Sequence, residues 1–258
     1  ATIGRGDGHP LELLEQLDFP HSLGLLYSAL TYFCGFKVNS GEYKLMGLAP
    51  YGEGRFTQQM LDELLDLKDD GSFRLNLRYF GYLDDLVMTN AAFAELFGGP
   101  PRSPESRLTR REMDLAKSVQ EVTEQVVLRM ARHAVALTGE RRLCLAGGVA
   151  LNCVANGVLL RSGVVDDLWI QPAAGDAGGA LGAAMAVWHG ELAQPREADG
   201  ATDRMQGAYL GPSFPPERIG AWLDAMGYPY ERLDDDAAWA ERVAGWLAEE
   251  QVVGLFQG

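Results

Sequence analysis

The stretch from residue 143 to residue 189, LCLAGGVALNCVANGVLLRSGVVDDLWIQPAAGDAGGALGAAMAVWH, leaves the chain few folds to choose from. Two short apolar runs, 143–146 and 168–170, are each followed by glycines and then by small and apolar residues at helical spacing. The order strand, glycine turn, helix, strand, glycine turn, helix fits a crossover between parallel strands and predicts an α/β fold.

The glycines fall where chemistry can use them. Gly147 and Gly148, and the run Gly175-Asp176-Ala177-Gly178-Gly179, each sit where a strand ends and a helix begins. Bare backbone N–H groups and positive helix ends then face one crevice, which suits an anion. Asp176 has no basic neighbour in sequence, and its carboxylate repels phosphate unless a divalent cation lies between them. It reads as a metal ligand, or as a cap for the following helix.

The 258 residues suffice for one large domain or two small ones, and 47% hydrophobic residues supply a core. No apolar run approaches a membrane span, and the first residues lack the pattern of a secretion signal, so a cytoplasmic location and no membrane partner are expected. Three cysteines, Cys34, Cys144 and Cys153, suggest reduced, buried thiols in place of a disulfide frame or zinc site. The net charge of −14 argues against nucleic acid as a partner. The opening without methionine and the apolar close at 252–258 suggest an interior segment of a longer enzyme. The oligomeric state stays open, a homodimer included.

In chain order, residues 1–19 read as a hairpin around a glycine-dotted turn, and 21–33 as a helix capped by Ser22 and stopped by Gly35. Residues 39–52 carry Gly41, Gly47, Pro50 and Gly52, a poor helix, and so predict a structured loop against the core. Within it Glu42 and Lys44 are candidates for a proton acceptor and an anion-binding ammonium, or are two solvated charges. Residues 56–67 predict a helix, 72–80 a half-buried strand and 88–97 a short helix. Arg102 either clamps a carboxylate or phosphate or caps the end of the preceding helix, 88–97. Thr109 and Glu112 form a capping box for a long core helix that runs to Gly139, with His133 at its surface or satisfied.

Three segments result: 1–190 as the first domain, 191–207 as a polar linker, and 208–258 as the start of a second α/β domain. The last contains a helix to Met226, a strand over 228–232, a helix over 237–249 capped by Asp235 or Asp236, and a final strand.

The runs His21-Ser22-Leu23-Gly24, Gly41 to Ala49 (GEYKLMGLA), Gly147 to Asn152 (GGVALN) and Pro172 to Gly182 (PAAGDAGGALG) together resemble the O-carbamoyltransferases that modify antibiotics and nodulation factors. The resemblance runs to about residue 188, and more weakly to the end. It implies a first domain of the sugar-kinase, Hsp70 and actin (ASKHA) nucleotide-binding type, and a second that makes carbamoyl adenylate from carbamoyl phosphate and ATP. The carbamoyl group then passes to the hydroxyl of a small-molecule alcohol such as an antibiotic. Residue by residue, it implies Asp176 as ligand to an iron-type divalent cation, with manganese and magnesium as alternatives. It places Gly147, Gly148 and Asn152 in the nucleotide-facing loop and Gly178 and Gly179 beside the phosphate. The histidine pair, the other aspartate ligand and the arginines for carbamoyl phosphate are expected outside this segment. Two rivals share the glycine turns: a tRNA threonylcarbamoyl transferase-like protein and an actin-like or Hsp70-like module without group transfer.

Overall fold

The computed structural model describes residues 1–6, 11–197, 199–200 and 202–256. They form two compact units, Ala1–Arg196 and Glu197–Gly258.

The first unit opens with an antiparallel hairpin of β1 (Thr2–Gly6) and β2 (Leu11–Gln16). The expected turn residues Asp7 and Gly8 lie outside the described residues. Helix α1 (Leu23–Phe33) starts where Ser22 Oγ accepts the Leu25 N–H at 3.3 Å, and ends near Gly35, whose φ of 76° suits glycine. Arg102 completes that end: its Nε donates to the Cys34 carbonyl at 2.6 Å and its guanidinium stands 5.2 Å from the Phe36 ring centre. Arg102 thus caps the end of α1, and not the end of the helix that precedes it in sequence, which was the capping role expected of it.

The loop expected over 39–52 is instead helix α2 (Glu42–Leu48) followed by a 3₁₀ turn, Ala49–Tyr51. Leu45, Leu48 and Ala49 recur at helical spacing and are buried, and Pro50 falls at the start of the 3₁₀ turn, where no N–H is needed. Burial of one face outweighs the cost of Gly47. The helix expected over 56–67 is shorter: α3 (Thr57–Glu63) gives way to β3 (Leu65–Leu67), which pairs antiparallel with β4 (Phe73–Leu75). Lys68 to Gly71 is thus a hairpin turn, with Gly71 at φ 84°, and not a helix stop. The expected strand over 72–80 gives way after Leu75 to a 3₁₀ turn, Leu77–Tyr79; Asn76 closes the β3–β4 ladder, its N–H on the Leu64 carbonyl at 2.9 Å and its side-chain amide on the Glu63 carbonyl at 3.0 Å. Helix α4 (Ala91–Leu96) is capped by Asn90.

Helix α5 (Arg110–Thr138) organises the unit. Its apolar stripe Leu115, Val119, Val122 and Val126 packs with α1, α2, α4 and the β3–β4 hairpin around Phe33, Phe93 and Phe97. Each fully buried large apolar side chain contributes roughly 1.5–3 kcal/mol. A second stripe holds the chain that follows α2: Asp114 Oδ1 accepts the Glu53 N–H at 2.7 Å, Ser118 Oγ the Phe56 N–H at 3.0 Å, and Glu121 the Thr57 hydroxyl at 2.6 Å. Gly52 lies so close to α5 that a Cβ there would stand 1.9 Å from the Met113 carbonyl oxygen.

Beyond α5 come β5 (Arg142–Leu145), a 3₁₀ turn (Gly148–Leu151), α6 (Cys153–Arg161), β6 (Asp167–Ile170) and α7 (Gly178–Ala186). Strands β5 and β6 are parallel, with Cys144 opposite Trp169. One face, Leu143, Leu145 and Leu168, packs with Ala131 and Leu159 of α5 and α6. Cys144 lies on the other face and is exposed, as is Cys153; of the three thiols expected to be buried only Cys34 is, where burial first and Glu112 second push it up to about 12.

The described residues of the second unit form a 3₁₀ turn, Gln206–Ala208, and the α-helices α8 (Pro216–Met226), closed by Gly227 at φ 70°, and α9 (Asp236–Ala248), capped by Asp235 Oδ1 on the Ala237 N–H at 3.0 Å. The strands expected over 228–232 and toward the end are not formed among the described residues. A strand is fixed by its neighbour, and no described segment there supplies one. No helix of the described residues is long and apolar enough to cross a membrane.

Candidate functional site

The two glycine turns meet. The Gly147 N–H donates to the Ala174 carbonyl at 2.7 Å, which laces the turn after β5 to the turn after β6. Gly147 holds φ 99°, a value that side chains disfavour. Gly178 is required for a different reason: a Cβ there would come within 2.3 Å of the Ala173 carbonyl oxygen. Gly148 and Gly179 have open space where a side chain would stand, although the Gly179 N–H is itself engaged, donating to the Asp176 carbonyl at 3.1 Å. The N–H groups of Gly148 and Val149 are not used by the 3₁₀ turn they begin. Nearby in the second turn, Gln171 Oε1 is buried without a hydrogen-bond partner. The free amides of Gly148 and Val149 fit an anion, whereas the unanswered Gln171 oxygen is an acceptor and calls for a donor.

Asp176 is exposed and makes no hydrogen bond or ion pair through its carboxylate among the described residues. The N-cap of α7 is Ala177, with no side-chain cap, so the capping role open to Asp176 is not taken. Its carboxylate is free for a ligand. No group of three or more His, Cys, Asp or Glu side chains gathers among the described residues, so the donors present there fall short of a metal shell.

Asn152 is turned inward. Its Oδ1 caps α6 by accepting the Ala155 N–H at 3.0 Å and also accepts Gln120 Nε2 at 3.1 Å, while its Nδ2 donates to Gln120 Oε1 at 2.9 Å. At 8% exposure it fixes the turn from behind, and its side chain does not face the crevice. Gln120 carried no sequence signal apart from an amide on the apolar side of α5. Tyr27 of α1 donates to the same Gln120 Oε1 at 3.2 Å.

Glu42 and Lys44 lie two residues apart at the start of α2, on nearly opposite sides of the helix. Glu42 Oε1 accepts from Ser28 Oγ at 2.9 Å and the Asn39 N–H at 3.0 Å, and Oε2 from the Gly41 N–H at 3.2 Å. Lys44 is exposed and in no ion pair among the described residues. Helix α2 is held near the turns by Met46, whose Sδ is 4.0 Å from Cys153 Sγ at the start of α6, and by α1, where Ser28 holds Glu42 and adjacent Tyr27 holds Gln120.

Residues 6–185 match the family described as carbamoyltransferase N-terminus. An uncharacterized protein of Synechocystis, sll1178, is 57% identical over 260 residues, covering 100% of this chain and 42% of its own length. Nodulation protein NolNO of Sinorhizobium fredii is 39% identical, with 100% of this chain and 35% of that protein covered. Nodulation protein NolO of Bradyrhizobium diazoefficiens is 36% identical, with 98% and 43% covered. The chain therefore spans well under half the length of these relatives. Laced glycine turns of the expected sequence, and likeness over the whole chain, lead to one conclusion: this chain belongs to the carbamoyltransferase N-terminus family.

Proposed function

We propose that the protein is an ATP-dependent O-carbamoyltransferase, and that residues 1–196 carry the nucleotide-facing part of its transfer site, in a fold of the sugar-kinase, Hsp70 and actin type. The observation that carries the reading is the Gly147 to Ala174 hydrogen bond, which joins two glycine turns at the same ends of parallel strands in a chain of this family. Crevices outside the carboxyl ends of parallel strands are where such folds hold nucleotides.

A carbamoyl carbon bonded to nitrogen is a poor electrophile, so transfer from carbamoyl phosphate calls for a better leaving group, here AMP in a carbamoyl adenylate: water releases phosphate to leave carbamate, whose oxygen bonds the α-phosphorus of ATP as pyrophosphate departs. The amides of Gly148 and Val149 would receive phosphate oxygens, and the open side of Gly179 lets the nucleotide approach the backbone. In the transfer, the acceptor hydroxyl oxygen bonds the carbamoyl carbon, the bond to AMP breaks, and the hydroxyl proton goes to a carboxylate. Glu42 is the candidate acceptor, since Oε2 takes one donor and keeps a lone pair. Lys44, exposed on the same helix, would attract the anionic donor. A divalent cation, iron-type or manganese or magnesium, would supply Lewis acidity at the carbonyl oxygen, with Asp176 as one ligand and the rest from elsewhere. The acceptor is proposed to be a small-molecule alcohol, antibiotics among them.

The test is incubation of the full-length protein with ATP, carbamoyl phosphate and a pooled alcohol library. Pyrophosphate release with a product heavier by one carbamoyl group is the expected result. ATP hydrolysis without a carbamoylated product would show a nucleotide-binding module, and the proposal would fall.

A further inference from the structure

We propose that Gln120 is a positioning residue for the nucleotide-facing turn, an inference that rests on the reading of that turn given above. A buried side-chain amide on a core helix is costly unless its groups are answered. Gln120 is 1% exposed, and its amide meets that of Asn152 head to tail, two hydrogen bonds at 3.1 and 2.9 Å. Its Oε1 also receives the Tyr27 hydroxyl at 3.2 Å, and its Nε2 also donates to Glu124 Oε1 at 3.0 Å. Both Gln120 protons and both Gln120 lone pairs are then committed.

This pairing decides which way Asn152 faces. Asn152 Oδ1 can cap α6 only while its amide stands in the plane that Gln120 sets, and the same residue closes the 3₁₀ turn with its N–H on the Val149 carbonyl at 2.9 Å. The bare amides of Gly148 and Val149 are therefore aimed by a side chain on another helix that lines no part of the crevice. Tyr27 stays a donor over the ordinary pH range, because burial first, and nearby Glu42 and Glu124 after it, raise its pKa well above 10. Through Tyr27 and its neighbour Ser28, α1 holds the turn and Glu42 in one frame.

The test uses full-length protein and ATP. Gln120→Leu keeps the bulk and leaves Asn152 Nδ2 and the Tyr27 hydroxyl without partners. It is expected to weaken ATP binding about tenfold or more, to raise KM for ATP with kcat changed by less than about threefold, and to speed hydrogen exchange at the amides of Ala150 and Asn152. Gln120→Glu keeps the acceptor oxygen for Tyr27 and Asn152 but, when ionised, loses the donor and faces Glu124. Its Kd for ATP relative to wild type at the same pH is expected to improve as pH falls and the new carboxyl regains a proton. A Gln120→Leu protein with wild-type ATP affinity and wild-type exchange overturns the inference. If that variant does not fold, a Gln120→Glu to wild-type ratio that ignores pH overturns it. Should wild type bind no ATP, the functional reading falls by itself, and exchange at Ala150 and Asn152 alone decides whether Gln120 sets the turn.

Discussion

The Gly147 N–H and the Ala174 carbonyl, 2.7 Å apart, make one unit of two turns that lie far apart in sequence. Each turn follows one strand of a parallel pair, so the hydrogen bond ties the chain together just past the ends of β5 and β6, two residues beyond where their register would put it. Whatever moves one turn moves the other.

Gly147→Ala is expected to disturb both. At φ 99° and ψ 166° an alanine is strained by about 1–3 kcal/mol, and relaxing the strain rotates the N–H away from Ala174. The expected outcome is a lower thermal midpoint together with weaker ATP binding by the full-length protein. Gly178→Ala should do the same by a steric route, through the Ala173 carbonyl oxygen.

Asp176→Ala should separate chemistry from folding. The carboxylate is exposed and unpartnered, so its loss should change stability by no more than about 0.5 kcal/mol. Transfer activity and divalent-metal content of the full-length protein should both fall. An unchanged metal content with full turnover would remove this residue from the site.

Glu42 should give the opposite pattern. Its carboxylate answers three donors, from Ser28, Asn39 and Gly41, so Glu42→Ala leaves them open and should cost roughly 1–3 kcal/mol in stability. Glu42→Gln keeps one oxygen as acceptor and should lose less stability than Glu42→Ala while losing as much turnover if Oε2 takes the proton. Lys44→Ala, at an exposed position, should leave the thermal midpoint alone and raise KM for the anionic donor.

Much of this was legible in residue order. The paired turns, the Ser22 cap, the capping box at Thr109 and the stop at Gly139 each rest on short-range rules, and each formed as the sequence implied. Where tertiary burial decides, short-range rules failed. Helix α2 forms over Gly47 because Leu45 and Leu48 have a core to enter, and residues 65–67 leave the helical pattern because Phe73 and Leu75 lie across a turn from them. The site was half readable. Glycines announce bare backbone by their identity, but a buried glutamine that aims a turn on another element leaves no pattern at its own position. Asn152 was legible as important, and its direction, inward, follows only from the partner it meets.

Acid should loosen the long helix at a definable point. Glu112 is 2% exposed; burial alone would raise its pKa, but the Thr109 hydroxyl and N–H and the Arg111 guanidinium outweigh burial and hold it below its ordinary 4.5. A carboxyl depressed in the folded state contributes stability that is fully present above the unfolded value. As pH falls through that value the unfolded chain takes up a proton that the folded chain refuses, and the contribution drains away until the folded group is itself protonated. The stability gap between wild type and Glu112→Gln should therefore be constant from about pH 7 to about pH 5.5 and shrink below that. Glutamine still accepts from the Thr109 N–H, so the gap itself should be modest, on the order of 1 kcal/mol. Thermal midpoints of the two proteins across this range are the measurement, and curves that stay parallel down to the acid limit would mean that the capping box carries no linked proton.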